Sequence, residues 1–327
     1  MSNITPDSIF QVASGFMAAK HLFVANEVGL FTGLGDGPAT LTELAQRTNV
    51  PRRTLRILAD AMVALGFVDR QGDRYQNSPV AATFLSGRTP ADLRPFLRFW
   101  NHLSYPGWVQ LETAVRKDQA VLAELTEEQG QIFSEGVEAI TAGTAHALAT
   151  AYDFGQHQRV LDLGGGTGSF LTAILAQHSN LEATLFELPA VAAIARQHLA
   201  SKPGAAQIEI VAGDLFQDPL PSGYDAIIVA NVLHLLTSER NLTLLRRIRD
   251  SVSTGARLLL VDFWTDPTHT QPTFAALMAG EFLVVAGGDV YSEEEAHAWL
   301  RESGWRPLER KPLAGPASLI VAEASEV

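Results

Sequence analysis

The chain has 327 residues, a length that favours two domains over one. Hydrophobic residues make up 46% of the chain and charged residues 18%, a balance typical of globular proteins with a large core. The net charge of −12 at pH 7 opposes general binding to nucleic acid or anionic membranes. The sequence contains no cysteine, which excludes disulfides, thiol nucleophiles and cysteine-based metal sites, and no metal is expected.

The first 90 residues show the pattern of a winged helix. Apolar periodicity predicts one helix from about Ile9 to Leu34, followed by a short helix that Thr40 or Thr42 can cap. A further helix is expected from Pro51 to Gly66. Two short strand-like runs then flank a turn at Gly72, so that two helices precede a hairpin.

Winged helices often bind DNA, and Arg52, Arg53 and Arg56 would lie on the helix that enters the groove. However, residues 1–90 hold eight Lys and Arg against seven Asp and Glu, so no strongly basic face is indicated. The long apolar helix in front of the winged helix also needs a partner surface, which a second copy of the chain would supply. We therefore expect residues 1–90 to mediate homodimerisation, without nucleic acid.

The N-terminal segment, M-S-N-I-T-P-D-S, has neither a basic start nor a long apolar core, which predicts no signal peptide. No uninterrupted apolar stretch in the sequence is as long as a membrane span. A soluble cytoplasmic protein without a membrane partner is therefore expected.

Residues 91–155 show helical periodicity and are the most aromatic part of the chain. Packing between domains explains most of these side chains, and some of them remain candidates for lining a pocket: Phe96, Phe99, Trp100, Tyr105 and Trp108. His102 and His146 are isolated histidines, which are structural more often than catalytic.

A glycine-rich stretch between residues 159 and 170 reads R-V-L-D-L-G-G-G-T-G-S-F. Its apolar start is typical of a buried parallel strand, and a helical pattern begins at Ser169. Because the glycines between them allow positive φ and a close approach to the backbone, this unit is suited to a nucleotide-like cofactor. Glu187 and Asp214 end the next two apolar runs, where carboxylates can accept hydrogen bonds from ribose hydroxyls and an adenine amino group.

From Arg159 onwards the pattern predicts a doubly wound α/β sheet of seven strands with helices between them. The strands are expected near 159–163, 181–187, 207–212, 224–230, 256–262, 305–311 and 317–323. The last two are separated by too few residues for a parallel crossover, so they should form an antiparallel hairpin at one edge of the sheet.

Four segments together give the chain its family resemblance: V-L-D-L-G-G-G-T-G, F-E-L-P, G-D-L-F and N-V-L-H-L-L-T-S-E-R. The chain resembles the S-adenosylmethionine-dependent O-methyltransferases of the caffeate and acetylserotonin type and their bacterial small-molecule relatives, over nearly its whole length. The resemblance implies a Rossmann-like methyltransferase sheet, S-adenosylmethionine as cofactor and a homodimer. It further implies a winged-helix dimerisation domain over residues 1–90 and a catalytic domain over 91–327, in which 91–155 is a helical segment on the substrate side.

The same resemblance implies roles for individual residues. Those on the cofactor are Gly164 and Gly166 near the methionine part, Glu187 on the ribose, Leu188 and Leu215 flanking adenine, and Asp214 on its amino group. His234 would be the general base that removes a proton from a hydroxyl acceptor, and Asp262 would orient its ring. Phe133 and Val137 match substrate-facing positions, and Phe282, Val284 and Val285 are expected to form an apolar wall opposite them.

The sequence also departs from the family pattern around the expected base. Leu235 follows His234 where the family often has an acid, Val290 replaces a second acidic partner, and Val285 replaces a polar residue. The main hypothesis is O-methylation of a phenolic or other hydroxylated natural product. A member of the same family with a non-methylating reaction, such as decarboxylation, hydroxylation or a pericyclic step, remains an alternative, as does a winged-helix transcriptional regulator.

Overall fold

The structure, a computed structural model, describes residues 4–122, 125–200, 202 and 205–326. The described residues fall into two units: those within 1–106 and 125–140 form unit 1, and those within 107–124 and 141–327 form unit 2. The sequence-based division between residues 90 and 91 stays a prediction.

Unit 1 contains a small sheet that packs with short helices. Its helices are α1 Asp7–Glu27, α2 Leu30–Gly33, α3 Leu41–Thr48, α4 Arg52–Ala64, α5 Pro79–Phe84 and α6 Arg94–Phe99, followed by a π-helical turn, Trp100–Ser104, and the start of α7 Tyr105–Trp108. Its strands, β1 Ala39–Thr40, β2 Val68–Gln71 and β3 Arg74–Asn77, form an antiparallel sheet in the order β1-β3-β2. The helices α3 and α4 precede the β2–β3 hairpin, which confirms the predicted winged-helix arrangement.

Two predictions concern the N-terminal half of unit 1, the extent of its first helix and the residue that caps α3. The single helix expected from Ile9 to Leu34 is wrong, because the chain breaks at Gly29, whose φ of +74° suits glycine and ends the helical path before α2. Of the two threonines proposed as caps, Thr40 caps α3: its side chain accepts from the Glu43 backbone, and the Glu43 carboxylate accepts in return from the backbone of Thr40.

The N-terminal half of helix α1 exposes its apolar side chains in the single chain. Phe10, Val12, Phe16 and Met17 are all more than half exposed, and only the C-terminal part of the helix is buried. By length and composition alone α1 is also the one described helix that could cross a membrane, with 11% of its apolar window buried. The core helix of a soluble protein or a signal sequence passes the same test, so this property alone does not indicate a membrane span.

Unit 2 is built on a seven-stranded sheet, which confirms the predicted fold class. Its strands are β4 Arg159–Leu163, β5 Glu182–Glu187, β6 Ile208–Ala212, β7 Ala226–Ala230, β8 Arg257–Asp262, β9 Trp305–Pro312 and β10 Ser318–Ala324. Its helices are α8 Leu111–Lys117, the later part of α9 Glu127–Ala151, α10 Ser169–Leu175, α11 Pro189–Leu199, α12 Ser238–Ser251, α13 Thr273–Ala286 and α14 Glu293–Glu302.

The strand order is β6-β5-β4-β7-β8-β10-β9, with parallel pairing from β6 to β8. As predicted, β9 and β10 form an antiparallel hairpin at one edge of the sheet. The prediction of helices between the parallel strands is wrong for the connection from β6 to β7. Residues 213–225, all of them described, contain no helix, because Pro219 and Pro221 cannot continue one and Gly223 has a φ of +84°.

Both faces of the central strands are covered. Every residue of β7 is buried, and apolar clusters lie on the two sides of the sheet, one of them including α10 and the other α12. This burial explains why β7 has no polar alternation in sequence. Since β4, β5, β7 and β8 run parallel, their carboxyl ends meet at one edge of the sheet.

Candidate active site

The glycine loop after β4 lies directly against its neighbours. Gly164 and Gly166 have φ values of +70° and +60°, which L-residues rarely adopt. A Cβ on Gly164 would come within 2.9 Å of Val232 Cγ2, and a Cβ on Gly165 would come within 2.2 Å of Asp162 Oδ2. The loop therefore requires glycine both for its backbone conformation and for its close packing.

Glu187, at the end of β5, is tied to this loop. Its Oε1 accepts from the Gly166 N–H at 3.1 Å, and its Oε2 accepts from the Leu188 N–H at 2.6 Å. Burial raises the pKa of Glu187 above its ordinary value, while these two backbone donors oppose the rise. Each carboxylate oxygen keeps a lone pair with which to accept a hydrogen bond from a hydroxyl.

The segment after β6, which carries Asp214 and Leu215, also lies at this edge of the sheet. The Gly213 N–H donates to the Glu187 backbone carbonyl at 2.8 Å, which places Asp214 and Leu215 beside it. Leu215 Cδ1 lies 3.9 Å from the position of a Cβ on Gly164. Leu188, the N-cap of α11, is 49% exposed, as a residue that covers a ligand would be in the free protein. Asp214 Oδ1 accepts from two backbone N–H groups of its own turn.

Asp162, which was not predicted as a site residue, lies in β4 directly below the loop. Its side chain is fully buried, and neither carboxyl oxygen has a hydrogen-bond donor among the described residues. Burial, and to a lesser degree the charge of Glu187, raises its pKa to about 8. An acidic residue within the apolar run of a strand, two residues before the glycines, was the sequence signal that would have identified it.

These features fit a cationic nucleoside cofactor such as S-adenosylmethionine. A buried carboxyl group without a donor suits a positive charge, the backbone of Gly166 borders open space, and Glu187 suits a diol. Across residues 4–122, 125–200, 202 and 205–326, no group of three or more His, Asp or Glu side chains is arranged to hold a metal ion.

His234 and Asp262 form a buried pair at the same edge of the sheet. His234 lies in a short turn after β7, and Asp262 is the last residue of β8. His234 Nδ1 lies 2.5 Å from Asp262 Oδ1, which also accepts from the Phe263 N–H at 2.8 Å. Because a carboxylate only accepts, a neutral His234 carries its proton on Nδ1 and presents the lone pair of Nε2.

Aromatic and apolar side chains fix the His234 ring from its other sides. Phe282 stacks on it with ring centroids 3.6 Å apart, and Phe263 lies 5.9 Å away. Val290, which replaces the family's second acid, is buried in an apolar cluster with Phe282. The Asp289 N–H donates to the His234 carbonyl, so the segment that carries Val290 is bonded to the turn that carries His234.

The five residues predicted to contact substrate divide between the units. Phe133 and Val137 belong to unit 1, where Phe133 packs edge-on against Phe99. Phe282, Val284 and Val285 lie on α13 in unit 2. Val284 is fully buried, and its carbonyl accepts from two backbone N–H groups, whereas Val285 is half-buried. Their role in a common pocket stays a prediction.

Three residues outside the predicted site complete the description. Glu281, before Phe282 on α13, is buried, and its carboxylate accepts from the indole N–H of Trp108; the sequence analysis did not single it out. The two isolated histidines are exposed. His102 lies 3.3 Å from the Glu27 carboxylate, which agrees with its structural interpretation.

Comparison with known proteins gives a consistent result. Residues 120–306 match the O-methyltransferase domain, and residues 10–87 match the O-methyltransferase dimerisation domain. The chain is 32% identical over 321 residues to 3-hydroxy-5-methyl-1-naphthoate 3-O-methyltransferase from Streptomyces sahachiroi, which covers 96% of this chain and 93% of the relative. Human N-acetylserotonin methyltransferase in complex with SAM has a TM-score of 0.90 at 25% identity and 99% coverage of both chains. PigF with SAH has a TM-score of 0.86 at 29% identity, covering 98% of this chain and 100% of the other.

Proposed function

The chain belongs to the S-adenosylmethionine-dependent O-methyltransferase family, and on that premise we propose that it methylates an aromatic hydroxyl group of a small natural product with His234 as general base. The observation that carries the proposal is the buried contact between His234 Nδ1 and Asp262 at the edge of the sheet that also holds the glycine loop.

S-adenosylmethionine supplies a methyl group that its sulfonium already activates. The residues proposed to hold it are Gly164 and Gly166 along the loop, Glu187 on the ribose, Leu188 and Leu215 on the adenine faces, and Asp214 on the adenine amino group. Support comes from the bonds of Glu187 to the Gly166 and Leu188 backbone and from the approach of Leu215 to Gly164. Asp214 retains Oδ2 for the adenine, because Oδ1 is used in its own turn.

His234 is proposed to accept the acceptor's proton on Nε2 as the hydroxyl oxygen takes the methyl group. Asp262 holds the proton on Nδ1 and thereby keeps Nε2 free to accept, so that Asp262 is a positioning residue. Phe282 restricts the ring from one face by stacking on it. With Val290 in an apolar cluster, Asp262 is the carboxylate on which we expect this orientation to depend.

An aromatic acceptor is proposed from the chemistry around His234. Phe263, Phe274 and Phe282 form a connected aromatic group next to its ring, and such a surface favours planar apolar ligands. The name of the Streptomyces relative describes methylation of a hydroxyl on a naphthoate, which is the same class of acceptor. Phe133, Val137, Val284 and Val285 are proposed as further substrate-side residues.

The exposed apolar face of α1 lies within the segment that matches the dimerisation domain, which supports a homodimer. The same match and the acidic net charge favour dimerisation over DNA binding by residues 1–90, so we include neither nucleic acid nor membrane among the proposed partners. A cytoplasmic location is part of the same proposal.

The proposed function is tested by incubating the protein with S-adenosylmethionine and a panel of aromatic hydroxy compounds that includes 3-hydroxy-5-methyl-1-naphthoate. Formation of S-adenosylhomocysteine together with an O-methylated product is expected for at least one of them. Cofactor binding with an altered but unmethylated acceptor would instead favour the non-methylating alternative. Specific DNA binding at physiological salt would favour the regulator.

A further inference from the structure

The connection from β6 to β7 carries two of the residues proposed to hold adenine, Asp214 and Leu215. Residues 213–225, all of them described, contain neither helix nor strand. Such a segment has no regular ladder of backbone hydrogen bonds, so its conformation depends on bonds that side chains supply. The position of the two adenine residues is therefore set by the groups that hold this segment in place.

The first part of the connection, residues 214–218, forms a turn whose backbone N–H groups are bonded within the turn itself. Asp214 Oδ1 accepts from the Phe216 and Gln217 N–H groups. Asp218 Oδ2 accepts from the Asp214 N–H at 2.8 Å, and the Asp218 N–H donates to the Asp214 carbonyl at 3.1 Å. Because these bonds join parts of one turn, they fix its shape without fixing its place at the edge of the sheet.

An arginine of α12 joins the 214–218 turn to the body of unit 2. Arg247 Nε donates to the Leu215 carbonyl at 2.9 Å, and Arg247 Nη2 donates to the Asp218 carbonyl at 2.5 Å. Nε and Nη2 lie along one edge of the planar guanidinium, so the two bonds fix both the spacing and the direction of the carbonyls. The side chain thus holds the turn at two points, one of them on a residue proposed to flank adenine.

A second arginine of the same helix contacts the same turn. Arg240 precedes Arg247 by two helical turns, which places both side chains on one face of α12. Its guanidinium carbon lies 4.1 Å from the centre of the Phe216 ring. Arg240 is exposed, whereas Arg247 is half-buried, so we expect Arg247 to contribute more to the position of the turn.

Helix α12 is a firm support for these contacts. Its inner face is buried in the apolar cluster on one side of the sheet. Asn241, which is fully buried on α12, donates to the Leu233 carbonyl at 3.0 Å in the turn that carries His234. One helix is therefore bonded both to the turn proposed to hold adenine and to the turn that carries the proposed base.

We propose that Arg247 is a positioning residue for cofactor recognition. By holding the Leu215 and Asp218 carbonyls, it keeps Asp214 Oδ2 directed at the adenine amino group and Leu215 against the ring. The inference rests on the proposed function only for the placement of adenine at this turn, and it is independent of the acceptor and of His234. Arg247 then determines the selectivity for adenine without contacting the cofactor.

The test compares two ligands that differ at the adenine amino group. S-adenosylhomocysteine keeps this group, and S-inosylhomocysteine has in its place a carbonyl oxygen, which cannot donate to Asp214. Titration calorimetry of the wild-type chain should give an affinity roughly tenfold higher for S-adenosylhomocysteine, because the inosine ligand leaves Asp214 Oδ2 without its donor. No methyl acceptor is required for this measurement.

Two substitutions at Arg247 separate its donors from its charge. Arg247→Met removes the donors, so S-adenosylhomocysteine should bind roughly fivefold more weakly and its preference over S-inosylhomocysteine should fall roughly threefold or more. Arg247→Lys keeps the charge, but its single ammonium group cannot span both carbonyls, so the preference should fall here as well. Arg246→Met is the matched control. Its exposed neighbouring arginine bonds Glu302 instead, and both affinities should stay within about twofold of wild type.

The preference between the two ligands decides the outcome. An unchanged preference in folded Arg247→Met would overturn the inference, even if both affinities fell by one common factor, since that result indicates a general structural role. Should Arg247→Met fail to fold, an unchanged preference in Arg247→Lys has the same consequence. Equal affinity of the wild-type chain for the two ligands would also overturn it. A wild-type chain that binds neither ligand would instead contradict the cofactor site, and with it the proposed function.

Discussion

Two buried aspartates near the carboxyl-terminal edge of the sheet differ in their hydrogen-bond donors. Asp262 accepts from His234 Nδ1 and from the Phe263 backbone, so its charge is stabilised by donors within the protein. Asp162 has no donor among the described residues, and its pKa is raised to about 8. The same residue type is therefore suited to hold a histidine ring in one place and to meet a cationic ligand in the other.

Replacing Asp262 with Asn should slow methyl transfer at least tenfold, or about 1.4 kcal/mol in the barrier. The amide can donate to Nδ1 of His234, which favours the tautomer with its proton on Nε2, and the base is then unable to accept. The measurement is the single-turnover rate at saturating cofactor, with Asp250→Asn as control. A rate within twofold of wild type would show that the ring needs no acidic partner.

Replacing Glu187 with Ala should weaken S-adenosylmethionine binding by about 2–4 kcal/mol. The variant loses the two hydrogen bonds that the ribose hydroxyls are proposed to donate to the Glu187 carboxylate. Calorimetry on the folded variant measures this directly. Glu182→Ala changes the other end of the same strand, where an exposed ion pair with Arg159 contributes little, and it should leave the affinity unchanged. Equal affinities for Glu187→Ala and wild type would remove the cofactor site from this strand end.

At the scale of elements, sequence patterns located the seven strands to within about two residues because each is a short apolar run between polar breaks. The hairpin of β9 and β10 followed from its short connection. The sequence patterns predicted the wrong secondary structure where single glycine or proline positions end or prevent a helix. Gly29 divides the first helix at a left-handed turn, and the prolines after β6 leave that connection without a helix.

Residues of the candidate site could be predicted from the sequence where they lie at or just after the end of a strand. Glu187, Asp214 and Asp262 each follow an apolar run, and parallel strands bring such positions to one edge. The stacking of Phe282 on His234 was not predictable, because α13 meets the turn after β7 only in three dimensions. The same holds for Asp162, whose significance comes from the loop folding back over it.

A substitution in the glycine loop tests whether its close packing matters for cofactor binding. Gly165→Ala would place a methyl group within 2.2 Å of Asp162, so the loop must shift and cofactor affinity should fall at least tenfold, with a loss of thermal stability. Gly143→Ala is a fitting control, since a Cβ there meets open space within α9 and alanine favours the helix. If both variants bind S-adenosylmethionine as wild type does, the close packing of this loop has no bearing on the cofactor.

For the whole molecule, the exposed apolar face of α1 and the match to the dimerisation domain lead us to expect a homodimer. Light scattering at micromolar concentration should give twice the 35.3 kDa chain mass. Phe10→Asp combined with Phe16→Asp should shift the mass towards the monomer, because burying two carboxylates in an apolar interface is unfavourable. A wild-type mass near that of one chain would contradict the homodimer.

The most direct test of His234 as the base of an O-methyltransferase is the single-turnover rate of methyl transfer against pH. It is measured for wild type and His234→Ala, at saturating cofactor and with an acceptor identified by methyl release. We predict that His234→Ala keeps its affinity for S-adenosylmethionine while the rate falls by roughly 10²–10⁴, the usual contribution of a positioned general base. We also expect the wild-type rate to fall towards acid pH, because a protonated imidazole cannot accept a proton. A His234→Ala rate within a few-fold of wild type across the whole pH range would contradict the base assignment and leave an enzyme that acts by proximity alone.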